Sequence, residues 1–366
     1  MNVSIVFAAC LTVACGVSLF GAYPAAAKDS APQSESVAAD NKNIQYMGRI
    51  DFSDPKKPRF WAAGCTVRAK FRGTYCDAIV NDQVLWGNSH NYIEIVVDDG
   101  KPIRVQTTGP VNTIRVAEGL PEGTHTVTLC KDTESGIGYL DFLGFRCAGL
   151  VRPDRQPRRK MEFIGDSITC GTGSDTSVKP CGEGQWYDQH NAYMSYGPAA
   201  ARALDAQWHL TSSSGIGVHH SCCDMKVTMP DVFGRMDLSA NAPGEWDFAR
   251  YQPDVVTICL GQNDGAGDPE AFHAAYIAFI HQIRGRYPRA QIVCLTSPMA
   301  DAALTSFMKD SLTTIVEQMQ QAGDKKIHAY FFSRSYNDGC GGHPSMAQHQ
   351  LIAAELAAYC KATFGW

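Results

Sequence analysis

The sequence predicts a two-part α/β protein: an N-terminal antiparallel β-sandwich of jelly-roll type, then a doubly wound α/β/α domain around a parallel sheet. Three observations predict it. From Ile44 to about residue 148, short runs alternate apolar and polar side chains, as at 92–98 and 125–130, with Asp99-Gly100 and Glu122-Gly123 turns between them. Period-two alternation interrupted by glycine describes half-buried antiparallel strands. Past residue 160, the runs 161–165, 254–260 and 291–296 are predominantly apolar without period-two alternation, as in parallel strands covered on both faces. Helical stretches at 196–204, 269–287, 306–322 and 345–363 alternate with those runs, which implies crossover connections.

Taken in order, residues 1–27 read as a signal peptide. An apolar stretch over 4–22 is followed by Ala25-Ala26-Ala27, the small residues of a cleavage site. A membrane anchor is the competing reading, because the apolar stretch approaches spanning length. Residues 28–43, rich in Ser, Ala, Asp and Lys, are expected to form a flexible leader. The β-sandwich is assigned to 44–150, an Arg- and Pro-rich linker to 151–159, and the α/β domain to 160–366. Removing 1–27 leaves twelve of the 14 cysteines, so a secreted or periplasmic chain would carry disulfides. Cys259 and Cys294 sit in apolar strand runs and are expected to stay as buried thiols. A net charge of -5, with no basic run longer than Arg158-Arg159-Lys160, gives no footprint for nucleic acid.

Ligands of open parallel sheets bind beyond the carboxyl ends of the strands, and four loops there carry reactive side chains. Gly165-Asp166-Ser167 follows the first strand; a serine at a helix start serves as a cap or as a nucleophile beside free amides. Gly261-Gln262-Asn263-Asp264 follows the strand ending at Leu260. The Asn263 amide there either closes an Asx turn or donates to a developing oxyanion. Ser212-Ser213-Ser214-Gly215-Ile216-Gly217 offers a glycine amide to the same anion. Gly341-Gly342-His343-Pro344 holds an imidazole on a defined turn just ahead of the last helix, as a general base requires.

These four blocks, in the order Ser, Gly, Asn, His, resemble those of the SGNH (GDSL-type) hydrolases. The upstream β-domain, with Phe163-Ile-Gly-Asp-Ser-Ile-Thr-Cys-Gly171 and Gly339-Cys-Gly-Gly-His-Pro-Ser345, resembles carbohydrate esterase family 2. The resemblance implies a flavodoxin-like catalytic domain and removal of O-acetyl groups from xylan or related plant polysaccharides. By position, Ser167 would be the nucleophile and His343 the base. The amides of Ser167 and Gly215 and the Asn263 side chain would form the oxyanion hole, with Gly217 as the alternative glycine. No carboxylate stands two or three residues before His343, where Gly341 and Cys340 are found. Asp338 or, as the family resemblance favours, a main-chain carbonyl would therefore orient the imidazole. The expected partner is an acetylated polysaccharide or oligosaccharide, engaged by a monomer without cofactor, metal, nucleic acid or, once the signal is cleaved, membrane. An esterase for another short acyl ester, or a glycan-binding protein with a weakened centre, are the competing functions.

Other motifs are set aside. His219-His220-Ser221-Cys222-Cys223-Asp224 lacks the paired spacing of a zinc site and reads as a disulfide-bearing loop near the catalytic face. Gly171-Thr-Gly173 lacks the third glycine of a dinucleotide fingerprint. No G-x-S-x-G elbow occurs. Of Trp186, Tyr187, Tyr193 and Tyr196, at least half are expected in the core, leaving the others to stack on sugar rings.

Overall fold

A computed structural model of the chain describes residues 35–239 and 244–366. The expected signal segment and residues 28–34 of the leader lie outside the described residues.

Alternating burial along the strands Thr66–Arg72 and Thr124–Lys131 sends one face inward, and two antiparallel sheets close over a shared core that includes Val67, Phe71, Val127, Phe142 and Phe145. One sheet is centred on Cys76–Asp82 and Leu140–Cys147, the other on Thr66–Arg72, Thr124–Lys131 and Tyr92–Val97. The leader expectation needs correction. Glu35–Ala38 is a strand paired antiparallel with Leu140–Cys147, Val37 opposite Phe145. A terminal edge strand needs only backbone groups to pair, so its Ser and Ala residues gave no apolar signal.

The second part is a five-stranded parallel sheet ordered Ala206–Ser212, Arg159–Gly165, Val255–Cys259, Gln291–Leu295, Ile327–Tyr330. Counted along the chain this is 2-1-3-4-5, the flavodoxin-like order, whose switch point falls between its first and third strands. Neighbouring residues on the first strand serve opposite helix layers: Phe163 joins the core that holds Leu356, Ile164 the core that holds Phe279. The helices Pro269–Arg286, Ala302–Gln321 and Met346–Phe364 flank the sheet. The second begins four residues before the predicted 306, because the Asp301 carboxylate accepts from the Leu304 amide and caps it there.

The antiparallel and parallel parts share buried polar contacts. Arg49 pairs with Glu162 at 2.9 Å, both side chains fully buried, and the Trp208 indole donates to the Gly64 carbonyl at 3.0 Å. The described residues form one compact unit. Among the described residues, no helix is long and apolar enough to cross a membrane.

Candidate active site

Ser167 opens the single helical turn Ser167–Cys170, directly after the strand Arg159–Gly165. The cap is Asp166, whose carboxylate accepts from the Ile168 amide at 3.0 Å. Ser167 is thereby free of capping duty, and its own amide, at the first helical position, has no partner within the helix. A Cβ on Gly165 would lie 2.0 Å from Thr169 Oγ1, so the corner closes only on glycine. Burial, added to by the Asp264 charge and opposed by the Ile168 amide, pushes the Asp166 carboxyl up to about 7.

His343 follows the tight turn Cys340–Gly342 and precedes the helix Met346–Phe364, whose Ser345/Gln348 capping box fixes where it starts. Its Nε2 stands 2.8 Å from Ser167 Oγ, across 176 residues of sequence. Its Nδ1 faces the Cys340 carbonyl at 3.3 Å. The Asp338 side chain is exposed and makes no hydrogen bond to either imidazole nitrogen. With the Nδ1 hydrogen on that carbonyl, Nε2 is the free acceptor for the serine hydroxyl. Burial pulls the imidazole below its ordinary pKa, against an upward pull from the Cys340 and Gly341 carbonyls.

The other two blocks meet the same place. After the strand Ala206–Ser212 the chain turns through Gly215 in the left-handed region at φ +81°. The Gly215 amide has no acceptor among the described residues. That of Gly217 donates to Ser221 Oγ at 3.0 Å, so of the two glycines left open by sequence, Gly215 keeps the unengaged donor. Asn263 Nδ2 donates to the Ile216 carbonyl at 3.0 Å and stands 3.3 Å from Asp166 Oδ2. Both amide hydrogens thus face protein acceptors, the second at a long, weak distance. Asp264, which sequence reasoning assigned no role, accepts from the amides of Val218, His219 and His220 and so shapes the turn beside Gly215. Its place in the Gly-Gln-Asn-Asp block was the available signal.

Ser167, Gly215, Asn263 and His343 line one cleft of about 380 Å³, together with Thr172, Trp186, Ser214, Met225 and Met299. Trp186 is half exposed there, whereas Tyr187, Tyr193 and Tyr196 are core residues. Cys222 and Cys223 also line the cleft and are bonded to each other, which removes both thiolates from any metal site. A second disulfide, Cys181–Cys340, joins the loop after the serine to the residue whose carbonyl faces His343. Cys259 and Cys294 are buried free thiols. The arrangement can transfer an acyl group: a hydroxyl, a base held in one tautomer and an unengaged amide converge in a partly apolar cleft.

Comparison with known proteins agrees. Residues 46–154 match the carbohydrate esterase 2 N-terminal family, and residues 163–351 match the GDSL-like lipase/acylhydrolase family. The chain is 34% identical over 352 residues to the cellulase/esterase CelE of Acetivibrio thermocellus, which covers 92% of this chain but 41% of CelE. It therefore spans less than half the length of that relative. To an acetylxylan esterase/glucomannan deacetylase of Cellvibrio japonicus it is 29% identical over 290 residues, covering 74% of this chain and 78% of the other. Among solved structures it is similar to a family two carbohydrate esterase from Clostridium thermocellum in complex with cellohexaose. The TM-score is 0.80 at 32% identity, covering 88% of this chain and 99% of that one. Identity at this level across nearly the whole sequence decides the assignment: the chain belongs to carbohydrate esterase family 2.

Proposed function

We propose that the chain is an exported O-acetylesterase that deacetylates xylan or a related plant polysaccharide by a Ser-His acyl-enzyme route. The carrying observation is the 2.8 Å contact between Ser167 Oγ and His343 Nε2 at a cleft that also presents Gly215 and Asn263. Ser167 Oγ attacks the acetyl carbonyl carbon as its proton passes to His343 Nε2. The amides of Ser167 and Gly215 receive the oxyanion, and Asn263 joins them by giving up its long contact with Asp166. Collapse breaks the bond to the sugar oxygen, which takes the proton back from His343. Water, deprotonated by the same imidazole, then attacks the acetyl carbon; the bond to Ser167 Oγ breaks, Oγ takes the proton back from His343, and acetate leaves.

Several features support the substrate and the compartment. Both C. japonicus relatives are named as acetylxylan esterases and glucomannan deacetylases. The cleft is open, as a polymer needs, and half-exposed Trp186 offers a face for a sugar ring. The two disulfides among the described residues suit an oxidising, extracytoplasmic setting.

Ser167→Ala should abolish p-nitrophenyl acetate hydrolysis and acetate release from acetylated xylan, by about a millionfold where serine and histidine act as a unit. Wild-type rates in that variant would end the proposal. Profiling acetyl against butyryl esters separates a deacetylase from a general short-chain esterase, because a tight pocket admits only the smaller acyl group.

A further inference from the structure

One wall of the cleft is anchored in the antiparallel part of the molecule. Glu134, just ahead of the short turn Ser135–Ile137, is almost fully buried. Its Oε2 accepts from the Ser214 amide at 2.9 Å and from Ser214 Oγ at 2.7 Å, across 80 residues of sequence. Ser214 immediately precedes Gly215. The same hydroxyl lies 2.9 Å from Thr172 Oγ1, which in turn lies 3.1 Å from His190 Nε2. Because the series ends on a carboxyl oxygen accepting from Ser214, it runs in one direction: His190 Nε2–H to Thr172, Thr172 hydroxyl to Ser214, Ser214 hydroxyl to Glu134, with His190 Nδ1 left without a partner among the described residues. Thr172 and Ser214 both line the cleft.

The geometry points to Glu134 as a positioning residue for the oxyanion hole, holding Ser214 through two hydrogen bonds so that the adjacent Gly215 amide stays aimed at the substrate oxyanion. Glu134 lines no part of the cleft and acts through Ser214. Oxyanion stabilisation depends on donors placed where charge develops, so a loosened Gly215 amide weakens the transition state and leaves ground-state binding nearly untouched. The antiparallel sheets therefore contribute to turnover itself. This inference rests on the Ser-His reading above.

The test uses the full chain carrying Glu134→Ala, Glu134→Gln, Ser214→Ala and Ser167→Ala, each assayed on p-nitrophenyl acetate. Glu134→Ala should lower kcat roughly ten- to hundredfold with KM unchanged, short of the hundred- to thousandfold that outright loss of a donor costs. Glu134→Gln keeps one acceptor oxygen and should recover part of that loss. Glu134→Gln combined with Ser214→Ala should cost little more than the worse single change, since both act through one contact. A folded Glu134→Ala enzyme with wild-type kcat overturns the inference. Where Glu134→Ala does not fold, wild-type kcat in both Glu134→Gln and Ser214→Ala overturns it equally. Ser167→Ala separates the two levels: if it is inactive while the Glu134 variants match wild type, only the positioning role falls, and if it retains activity, the underlying mechanism falls.

Discussion

At the residue scale, the orienting group behind His343 is a neutral carbonyl at 3.3 Å from Nδ1. A carbonyl fixes tautomer and ring orientation as a carboxylate does, but it would bring no negative charge to stabilise the imidazolium that the proposed attack forms. Burial adds to that deficit, since it disfavours the charged ring and holds the pKa below its ordinary 6.5. The sign follows directly. In the proposed mechanism the base must be neutral, so kcat/KM should rise with pH along an acid limb centred below 6.5. Because the exposed Asp338 carboxylate makes no hydrogen bond to either imidazole nitrogen, Asp338→Asn should superimpose on wild type, with kcat within about twofold and the same acid limb, as expected away from the hydrogen-bonded site. A pH profile of p-nitrophenyl acetate hydrolysis checks both statements. An acid limb centred above 6.5, or one displaced by Asp338→Asn, would return the orienting role to a carboxylate.

At the scale of loops and elements, Cys181–Cys340 ties an irregular segment to the turn that carries both the orienting carbonyl and the base. Backbone bonds assist, with the Cys340 amide donating to the Gly173 carbonyl at 2.8 Å. The bridge spans 159 residues, and a loop of that length corresponds to about 5 kcal/mol in the chain-entropy model. Cys181→Ala should therefore lower thermal stability. It should also lower kcat, by up to about a hundredfold for an ångström of misplacement, in parallel melting and steady-state measurements. An unchanged kcat would mean that the backbone bonds alone hold the turn. Elements of this kind mark where sequence reading succeeds and stops. The runs 161–165, 254–260 and 291–296 were legible because burial on both faces favours apolar side chains, with Glu162 the charged exception, and the loops carrying Ser167 and Asn263 because each follows such a run. Glu35–Ala38 was not, since edge pairing is a backbone property. Nor was the choice of Gly215 over Gly217, which depends on Ser221 occupying one amide. Glu134 carried no local signal at all: its partner lies 80 residues away, in the loop after a strand of the parallel sheet.

At the scale of the whole molecule, the two sheet systems are joined by charge as well as by packing. Arg49, from the antiparallel part, reaches Glu162 on the first parallel strand at 2.9 Å. It also donates to the carbonyls of Phe233 and Arg235 and lies against the rings of Phe233 and Phe248. Thr211 donates to the same Glu162 oxygen at 2.6 Å. A buried pair of this kind need not stabilise more than apolar residues of equal volume would, but removing one partner strands the other charge and costs about 3–5 kcal/mol. Two consequences follow for unfolding. The parts should melt together, since neither can separate without exposing an unpaired ion, so calorimetry of the protein should give one endotherm. Arg49→Ala should move that endotherm down by roughly 5–10 °C, and Arg49→Met, which fills the space without hydrogen bonds, should fall by as much because Glu162 is left unpaired in both. Restoring balance with Arg49→Met and Glu162→Gln together should recover much of the loss. Two separate endotherms in the wild-type protein, with only the earlier one sensitive to Arg49, would show that the sheets fold independently and that the ion pair is incidental to their union.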